Sequence, residues 1–192
     1  MLSSNISGKF HASILVLILC FAFYMAFIPH AEYSYPLHVD EWSNYGLSKA
    51  VSSSGSITHT EPFFGNRLVH DHPEIGFHLL LAEIQLLTNL DWNNIYRFFP
   101  SIFFVFTVAC AFMVARRQGY GLEAAFFASM IPTTVRILGP ALLVPVSLGL
   151  AILLIVLFIL HHLKPSFPKA LLLFLFLFSL HLTHPPTALA AS

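Results

Sequence analysis

Long apolar runs without charged residues limit what this chain can fold into. Residues 10–29 contain no Asp, Glu, Lys or Arg, and crossing a bilayer as a helix takes about 20 apolar residues. Across the 192 residues, 57% are hydrophobic and only 9% are charged, whereas an average soluble domain has about 25% charged residues. So few charges cannot cover the surface of a water-soluble globule. The composition therefore excludes a soluble enzyme, a disordered region and a disulfide-stabilised secreted module, and it predicts an integral membrane protein.

The net charge excludes nucleic acid as a partner, and the two cysteines show no metal-binding or redox motif. Nine basic and nine acidic residues balance each other, so the chain lacks the basic face that nucleic-acid binding requires. The two cysteines, Cys20 and Cys110, lie inside apolar runs. Neither has a CxxC or Cys/His neighbour, so we interpret both as small residues of the apolar interior or lipid face.

The apolar segments predict an all-α fold, a polytopic bundle of transmembrane helices. Residues 10–29 form the first span, which we interpret as an anchored helix because a poor match to a cleavage site follows it. The later segments lie at residues 74–90, 98–115, 122–134, 141–160 and 170–182. The first of these is either interfacial or a short span, and the other four are predicted to span the membrane. Because the chain ends inside a fresh apolar turn, we expect residues 1–192 to be the N-terminal part of a longer transmembrane domain.

The distribution of Lys and Arg indicates how these segments lie in the membrane. If all of them cross it from a cytoplasmic N-terminus, Arg116 and Arg117 fall outside, against the positive-inside tendency. If residues 74–90 do not cross, both arginines fall on the cytoplasmic side. The basic residues that then share that side are Lys9, Arg116, Arg117, Lys164 and Lys169. We favour this arrangement, which describes a multi-pass plasma-membrane protein with a cytoplasmic N-terminus.

Residues 30–73 are the one long polar stretch, and we expect them to form an outer catalytic loop. Five of the eleven histidines lie in this stretch, and six of the nine acidic residues lie in it or directly after it. A short helix is predicted over residues 42–51 and a turn over residues 52–56. A loop of this length between helices is typical of a functional region.

The first candidate constellation is His38-Val39-Asp40-Glu41-Trp42, about ten residues after the first span. Adjacent carboxylates at a membrane face are costly unless they bind a cation, a sugar or a proton. One of them could act as a general base towards an acceptor hydroxyl or amide. The alternative is a hydrated pair of loop carboxylates beside an interfacial Trp anchor.

The second constellation is His70-Asp71-His72-Pro73-Glu74, at the start of the next helix. Its side chains could coordinate a divalent metal, with Asp71 and His70 as candidate ligands, or the helix N-terminus could hold a phosphate. The spacing lacks the HExxH pattern of a zinc site. The alternative is simple helix capping by Asp71 or His72.

Two isolated residues complete the candidates. Arg136 lies between two apolar segments, where an Arg either pairs with an anion such as a lipid-linked phosphate or extends its head to the membrane surface. His184, in Thr-His-Pro-Pro, marks a helix break near the outer face. Irregular backbone at that depth must be buried or wet, so we expect His184 to line a cavity, with His78 and Glu83 as further candidates.

Several motifs follow one another in the order known from one family of membrane enzymes. They are Asp40-Glu41 after the first span, His-Pro-Glu-Ile-Gly at 72–76, Tyr-Arg-Phe-Phe-Pro at 96–100, Arg116-Arg117 before an Ala-rich helix, and Pro132 followed by Arg136. In this order they resemble the GT-C superfamily of membrane glycosyltransferases. That superfamily includes the protein O-mannosyltransferases, the aminoarabinose transferases of lipid A and the oligosaccharyltransferases.

The resemblance implies a GT-C-type bundle with a long first outer loop and a polyprenyl-phosphate-linked sugar donor whose tail lies in membrane lipid. The acceptor would be a protein, lipid or glycan on the outer face. Asp40 would deprotonate or orient the acceptor, and Glu41 would assist or bind it. Either Arg136 or a divalent metal near residues 70–74 would stabilise the departing phosphate. The residues assigned to substrate binding are Trp42, His72, Glu74, Arg136 and His184.

Two other classes of function stay open at this point. A transporter or flippase subunit could use Glu83 and the histidines as a proton relay. Transporters, however, are typically built from internal repeats with polar sites at the bilayer midplane, whereas the polar residues here gather in one loop. A non-catalytic scaffold of the same fold is the other alternative.

Overall fold

The computed structural model describes residues 2–63, 65, 67–70, 72–131 and 142–191. Eight α-helices lie among these residues, which confirms the all-α prediction. Their bounds are α1 Leu2–Ala31, α2 Val39–Ser54, α3 Ile75–Thr88, α4 Trp92–Ala115, α5 Gly121–Ser129, α6 Pro145–His162, α7 Phe167–Thr183 and α8 Pro185–Ala191. A 3₁₀ turn, Arg116–Gln118, follows α4, and strands β1 (His59–Thr60) and β2 (Leu68–Val69) form an antiparallel hairpin.

Three helical segments are long and apolar enough to cross a membrane. They are Lys9–Ala31, Trp92–Gln118 and Pro145–His162, which belong to α1, α4 with its 3₁₀ turn, and α6. Helices α3 and α7 are shorter, with 14 and 17 residues. At about 1.5 Å per residue they measure about 21 and 26 Å, less than the roughly 30 Å of a bilayer core. The structure thus confirms the membrane-protein prediction at the level of these three segments.

Helix α5 is shorter than the span that the sequence predicts over residues 122–134. It has nine residues, about 14 Å of helix, which is too short to cross the bilayer. Its end is tightened by Ser129, whose Oγ donates to Phe126 O at 2.6 Å. Residues 132–134 lie outside the part that the structure describes, so the span over residues 122–134 stays a prediction.

Hydrogen bonds between helix ends establish the direction of each long helix. Arg97, near the start of α4, donates from Nη2 to Ala31 O at the end of α1, at 2.8 Å, so α1 and α4 are antiparallel. Arg117, just after α4, donates from Nη1 to His162 O at the end of α6, at 3.1 Å, so α4 and α6 run in the same direction. The Nζ of Lys169 in α7 donates to carbonyls at the end of α6 at 2.8 and 3.0 Å, so α7 runs back antiparallel to α6.

The two ends of the bundle consequently differ in charge. The basic end carries Lys9, Arg116, Arg117, Lys164 and Lys169. The favoured membrane orientation requires these five residues to share a side, and the structure places them at one end. Which side of a membrane that end faces stays a prediction. The opposite end, which we call the acidic end, carries α2, the hairpin, the starts of α4 and α6, and the end of α7.

Helix α2 occupies the acidic end and begins earlier than residues 42–51. Its N-cap is His38, whose Nδ1 accepts a hydrogen bond from Asp40 N at 3.2 Å. Acidic residues in the first turn suit the positive end of the helix dipole. The helix ends before Gly55, which has φ of 61°, the left-handed conformation that commonly terminates helices.

Helices α2 and α3 pack side by side in the same direction. Ser48 Oγ lies 2.9 Å from His78 Nδ1, and Ser52 Oγ donates to Gln85 Oε1 at 3.0 Å. The apolar core below them is formed by fully buried residues of α3, α4 and the segment before α6. Its completely inaccessible members are Phe77, Leu81, Ile95, Tyr96 and Leu143.

Candidate functional site

A pocket of about 250 Å³ opens at the acidic end, where α2, the start of α3, the start of α6 and the end of α7 meet. Its polar lining consists of Asp40, Ser43, Asn44, His72, Glu74 and His184. Its apolar lining consists of Leu47, Val144, Pro145 and Val146. Four of the residues assigned to the site from the sequence, Asp40, His72, Glu74 and His184, therefore come together in one cavity.

Helix α2 presents one face to this pocket. Asp40, Asn44 and Leu47 are four and three residues apart and therefore lie on the same side of the helix. Asn44 Nδ2 donates to Asp40 O at 2.8 Å. The Asp40 side chain is 47% exposed and lies 3.5 Å from His38 Nδ1. A carboxylate in this position is both accessible to a substrate and held at a defined place by the first turn of α2.

Glu74 supplies a second carboxylate to the pocket from the N-cap position of α3. Burial raises the pKa of Glu74, and the nearby charge of Asp40 raises it further. Its backbone N–H donates to His72 Nδ1 at 3.2 Å, which orients the His72 ring. Two carboxyl groups whose environments differ in this way suit a division of acid and base roles.

His184 reaches the pocket from the break between α7 and α8. Its Nδ1 accepts from Thr187 N at 3.3 Å and lies 2.6 Å from Thr187 Oγ1. Because Nδ1 accepts, the proton of the neutral ring is on Nε2, which lies 3.8 Å from Glu74 Oε1. Burial lowers the pKa of His184. The Nε2 side of the ring thus lies near the Glu74 carboxyl group, at a distance longer than a hydrogen bond.

Two glycines, Gly149 in α6 and Gly76 in α3, allow the end of α7 and the residues after it to pack closely against these helices beside the pocket. A Cβ on Gly149 in α6 would lie 3.1 Å from His184 Cβ. A Cβ on Gly76 in α3 would lie 2.9 Å from Leu182 Cβ and 3.0 Å from the Leu182 carbonyl. Real Cβ atoms essentially never approach other atoms within 3.0 Å, so Gly76 sets the closest distance between α3 and the end of α7.

Glu41, predicted to act on the acceptor, occupies a different environment. It is completely buried, and its Oε1 accepts from Leu143 N at 2.7 Å while its Oε2 accepts from Leu37 N at 2.8 Å. Burial raises the pKa of Glu41, and these two backbone donors act in the opposite direction. Glu41 does not line the pocket. It is a positioning residue that joins the start of α2 to the chain entering α6.

Trp42, assigned to substrate binding, lies on the side of α2 away from Asp40, since two residues correspond to about 200° of helix rotation. It is 42% exposed. Its ring stacks on Tyr35 at 6.2 Å between centroids and meets Tyr45 edge-on at 5.6 Å. The pocket lining does not include Trp42, and its surroundings suit the alternative interpretation, an aromatic anchor at the membrane surface.

Among the described residues, none of the remaining sequence assignments lines this pocket. Asp71 and Arg136 lie outside the described residues. His70 and Glu83 are exposed and absent from the pocket lining. His78 is completely buried against Ser48 rather than facing the cavity. In the described ranges, no group of three or more His, Cys, Asp or Glu side chains is arranged to hold a metal ion.

A histidine cluster beside the pocket is a feature that the sequence did not reveal. The His72 ring centroid lies 4.8 Å from that of His78 and 6.5 Å from that of His59. The Nε2 atoms of His59 and His78 are buried without a hydrogen-bond partner in the described part of the chain. His59 arrives here because the hairpin pairs it with Val69, and no local pattern indicates that register.

The arrangement as a whole can accept a proton at Asp40, retain one at Glu74 or His184, and hold a polar ligand between them. Ser43 and Asn44 add hydrogen-bonding groups on the α2 side. They could have been found from their spacing of three and four residues from Asp40. Comparison with models of known protein families, with curated proteins and with solved structures gave no match to this chain.

Proposed function

We propose that this protein is a membrane glycosyltransferase of the GT-C type, which transfers a sugar from a polyprenyl-phosphate donor to a protein, lipid or glycan acceptor on the outer face. One observation carries the proposal. Asp40, His72, Glu74 and His184, from three distant parts of the chain, converge on one pocket at the acidic end. That pocket adjoins the start of α6, one of the segments long and apolar enough to cross a membrane.

The position of the pocket suits a donor with two incompatible parts. A prenyl tail requires lipid, whereas a sugar and a phosphate require a polar cavity at the membrane surface. Exposed apolar residues of α7, among them Phe174 and Phe178, offer a surface to the tail. The pocket volume of about 250 Å³ lies just below the roughly 300–1,000 Å³ of sites for larger ligands, so it suits one monosaccharide unit.

In the proposed reaction Asp40 is the general base. The acceptor oxygen forms a bond to the anomeric carbon of the sugar while the bond from that carbon to the phosphate oxygen breaks. The acceptor proton passes to Asp40, and polyprenyl phosphate leaves. Glu74 and His184 bind the acceptor or the sugar hydroxyls, since together they offer an acceptor and an N–H donor 3.8 Å apart.

The departing phosphate needs a positive partner, because it carries negative charge and no Lys or Arg is among the described residues that line the pocket. We assign this role to Arg136, which lies outside the described residues. The sequence also suggested a divalent metal held by Asp71 and His70. Asp71 lies outside the described residues, His70 is exposed and does not line the pocket, and no group of three or more His, Cys, Asp or Glu side chains that could hold a metal ion is found among the described residues, so the metal stays a prediction. No step of the proposed reaction passes through a metal.

The test is sugar transfer by the full chain in liposomes, with labelled polyprenyl-phosphate sugars and a membrane extract as acceptor. Asp40→Asn should lower transfer by about 10² or more, the size of a general-base contribution. The matched control is Asp91→Asn, because Asp91 is also an exposed carboxylate at the acidic end and caps α4, accepting from Asn93 N at 3.1 Å. Asn caps helices as well as Asp does, so this control should retain transfer.

Transfer that survives in Asp40→Asn would contradict the role of Asp40. Absence of transfer by the wild type with every donor would contradict the proposed function and favour the transporter or scaffold alternatives.

A further inference from the structure

A second pocket lies at the basic end, and nothing in the proposed function uses it. It has a volume of about 540 Å³ and lies between α1 and the corner formed by the end of α4 and the start of α5. Its chemistry is set by His11 and Leu15 of α1, by Phe112 and Arg116 at the end of α4, and by Leu122 and Glu123 of α5.

The pocket is polar near the basic end of the bundle and apolar one helical turn deeper into the bundle. On α1, Leu15 lies one turn further into the bundle than His11. On α4, which runs in the opposite direction, Phe112 lies one turn further in than Arg116. The segments able to cross a membrane begin at Lys9 and end at Gln118. His11 and Arg116 therefore lie at the boundary of the apolar layer, and Leu15 and Phe112 lie within it.

Two opposite charges line this pocket without contacting each other. Arg116 and Glu123 are both exposed, and neither side chain forms an ion pair or hydrogen bond with the residues that the structure describes. The Arg116 guanidinium carbon instead lies 5.8 Å from the centre of the Phe112 ring. The neighbouring Arg117 differs, because it donates to His162 O at 3.1 Å.

We propose that this pocket binds a phospholipid with an ammonium headgroup, of the phosphatidylethanolamine type. Its phosphate pairs with Arg116, and its ammonium group donates to Glu123. One acyl chain follows the apolar wall formed by Leu15, Phe112 and Leu122. Basic pockets between transmembrane helices bind the phosphate groups of anionic lipids, and Arg116 offers the same contact to the phosphate here. The presence of both charge signs here selects a zwitterionic headgroup over a purely anionic one.

The experiment measures lipid retention by native mass spectrometry of the full chain in detergent. The chain receives equal amounts of phosphatidylethanolamine, phosphatidylcholine and phosphatidylglycerol with identical acyl chains. Phosphatidylethanolamine should be retained preferentially, because phosphatidylcholine lacks N–H donors for Glu123 and phosphatidylglycerol lacks the ammonium group. Arg116→Gln and Glu123→Gln should each weaken its retention roughly tenfold, as expected for the loss of one charge-assisted hydrogen bond.

Arg117→Gln is the matched control and should retain the lipid like the wild type. Equal retention of the three lipids, preference for phosphatidylglycerol, or equal loss in Arg116→Gln and Arg117→Gln would overturn the proposal. Because this readout needs no sugar transfer, it is independent of the proposed glycosyltransferase activity.

Discussion

Glu41 Oε1 accepts a hydrogen bond from the backbone N–H of Leu143 at 2.7 Å, across 102 positions of sequence. This bond connects the helix that carries Asp40 to the segment that leads into α6. Both oxygens of Glu41 accept from backbone N–H groups. The residue therefore fixes the position of α2 relative to the segment that leads into α6, and both of these line the pocket.

Replacing Glu41 with Gln should destabilise the protein. An amide offers one acceptor oxygen and turns an NH₂ group towards a backbone N–H, so one buried hydrogen bond is lost and one donor is left unpaired. The expected cost is about 1–3 kcal/mol, measured as the free energy of unfolding in detergent micelles. Glu83→Gln is the control, since Glu83 is exposed on α3. Equal stability of both variants would show that the bonds of Glu41 contribute little.

The two close-approach glycines should differ in their tolerance of alanine. In Gly76→Ala the new Cβ meets the backbone carbonyl of Leu182 at 3.0 Å, and backbone cannot move aside without shifting α7. In Gly149→Ala the closest atoms belong to the His184 and Thr187 side chains, at 3.1 and 3.4 Å. Overpacking costs about 1–3 kcal/mol, so Gly76→Ala should have the lower thermal midpoint. A lower midpoint for Gly149→Ala would contradict the described packing of α3 against α7.

The bond between Ser48 and His78 should contribute to stability. Ser48 is completely buried and its Oγ lies 2.9 Å from His78 Nδ1, so Ser48→Ala leaves a buried ring nitrogen unpaired at a cost of about 1–3 kcal/mol. Ser53→Ala is the matched control, because Ser53 lies on the exposed side of α2 and bonds only to Lys49 O. If chemical denaturation shows the same midpoint for both variants, the buried bond is not a stabilising one.

Stability should fall as the pH is lowered from 7.5 towards 5. Burial lowers the pKa of His72 from 6.5, and the nearby His59 lowers it further, against the opposing effect of Glu61. Below about pH 6.5 the unfolded chain therefore binds more protons than the folded one, and the free energy of unfolding decreases with falling pH. Glu74, whose pKa is raised, acts in the opposite sense at lower pH.

The contribution of His72 is isolated by comparing the wild type with His72→Gln across this pH range. The variant should lose less stability than the wild type between pH 7.5 and 5. A larger loss in the variant would contradict a lowered pKa for His72.

The helices could be predicted because an apolar run lies within one stretch of sequence. The site could not, because it is formed by residues that are far apart in the sequence. The run at residues 10–29 already contains what a long apolar helix requires, and α1 includes it. The involvement of Asp40 was suggested by local chemistry. The burial of Glu41 depends on Leu143, far along the chain, and nothing in the adjacent pair Asp40-Glu41 indicates which carboxylate faces the cavity.

The distinction between local sequence patterns and long-range contacts also explains the other differences between prediction and structure. Trp42 was assigned to substrate binding because it offers an aromatic surface, but helix rotation places it on a different side of α2 from Asp40. The short helix α5 occupies a segment whose composition predicts a longer one, because composition does not indicate where the last hydrogen-bonded turn closes. His59 joins His72 only through the register of the hairpin.

The central claim is that Asp40 performs proton transfer in a sugar-transfer reaction, and the ratio of turnover between wild type and Asp40→Asn at saturating donor tests it most directly. We expect turnover to fall by about 10² or more while the affinity for the donor stays unchanged. A ratio near one, with both proteins active, would contradict the account.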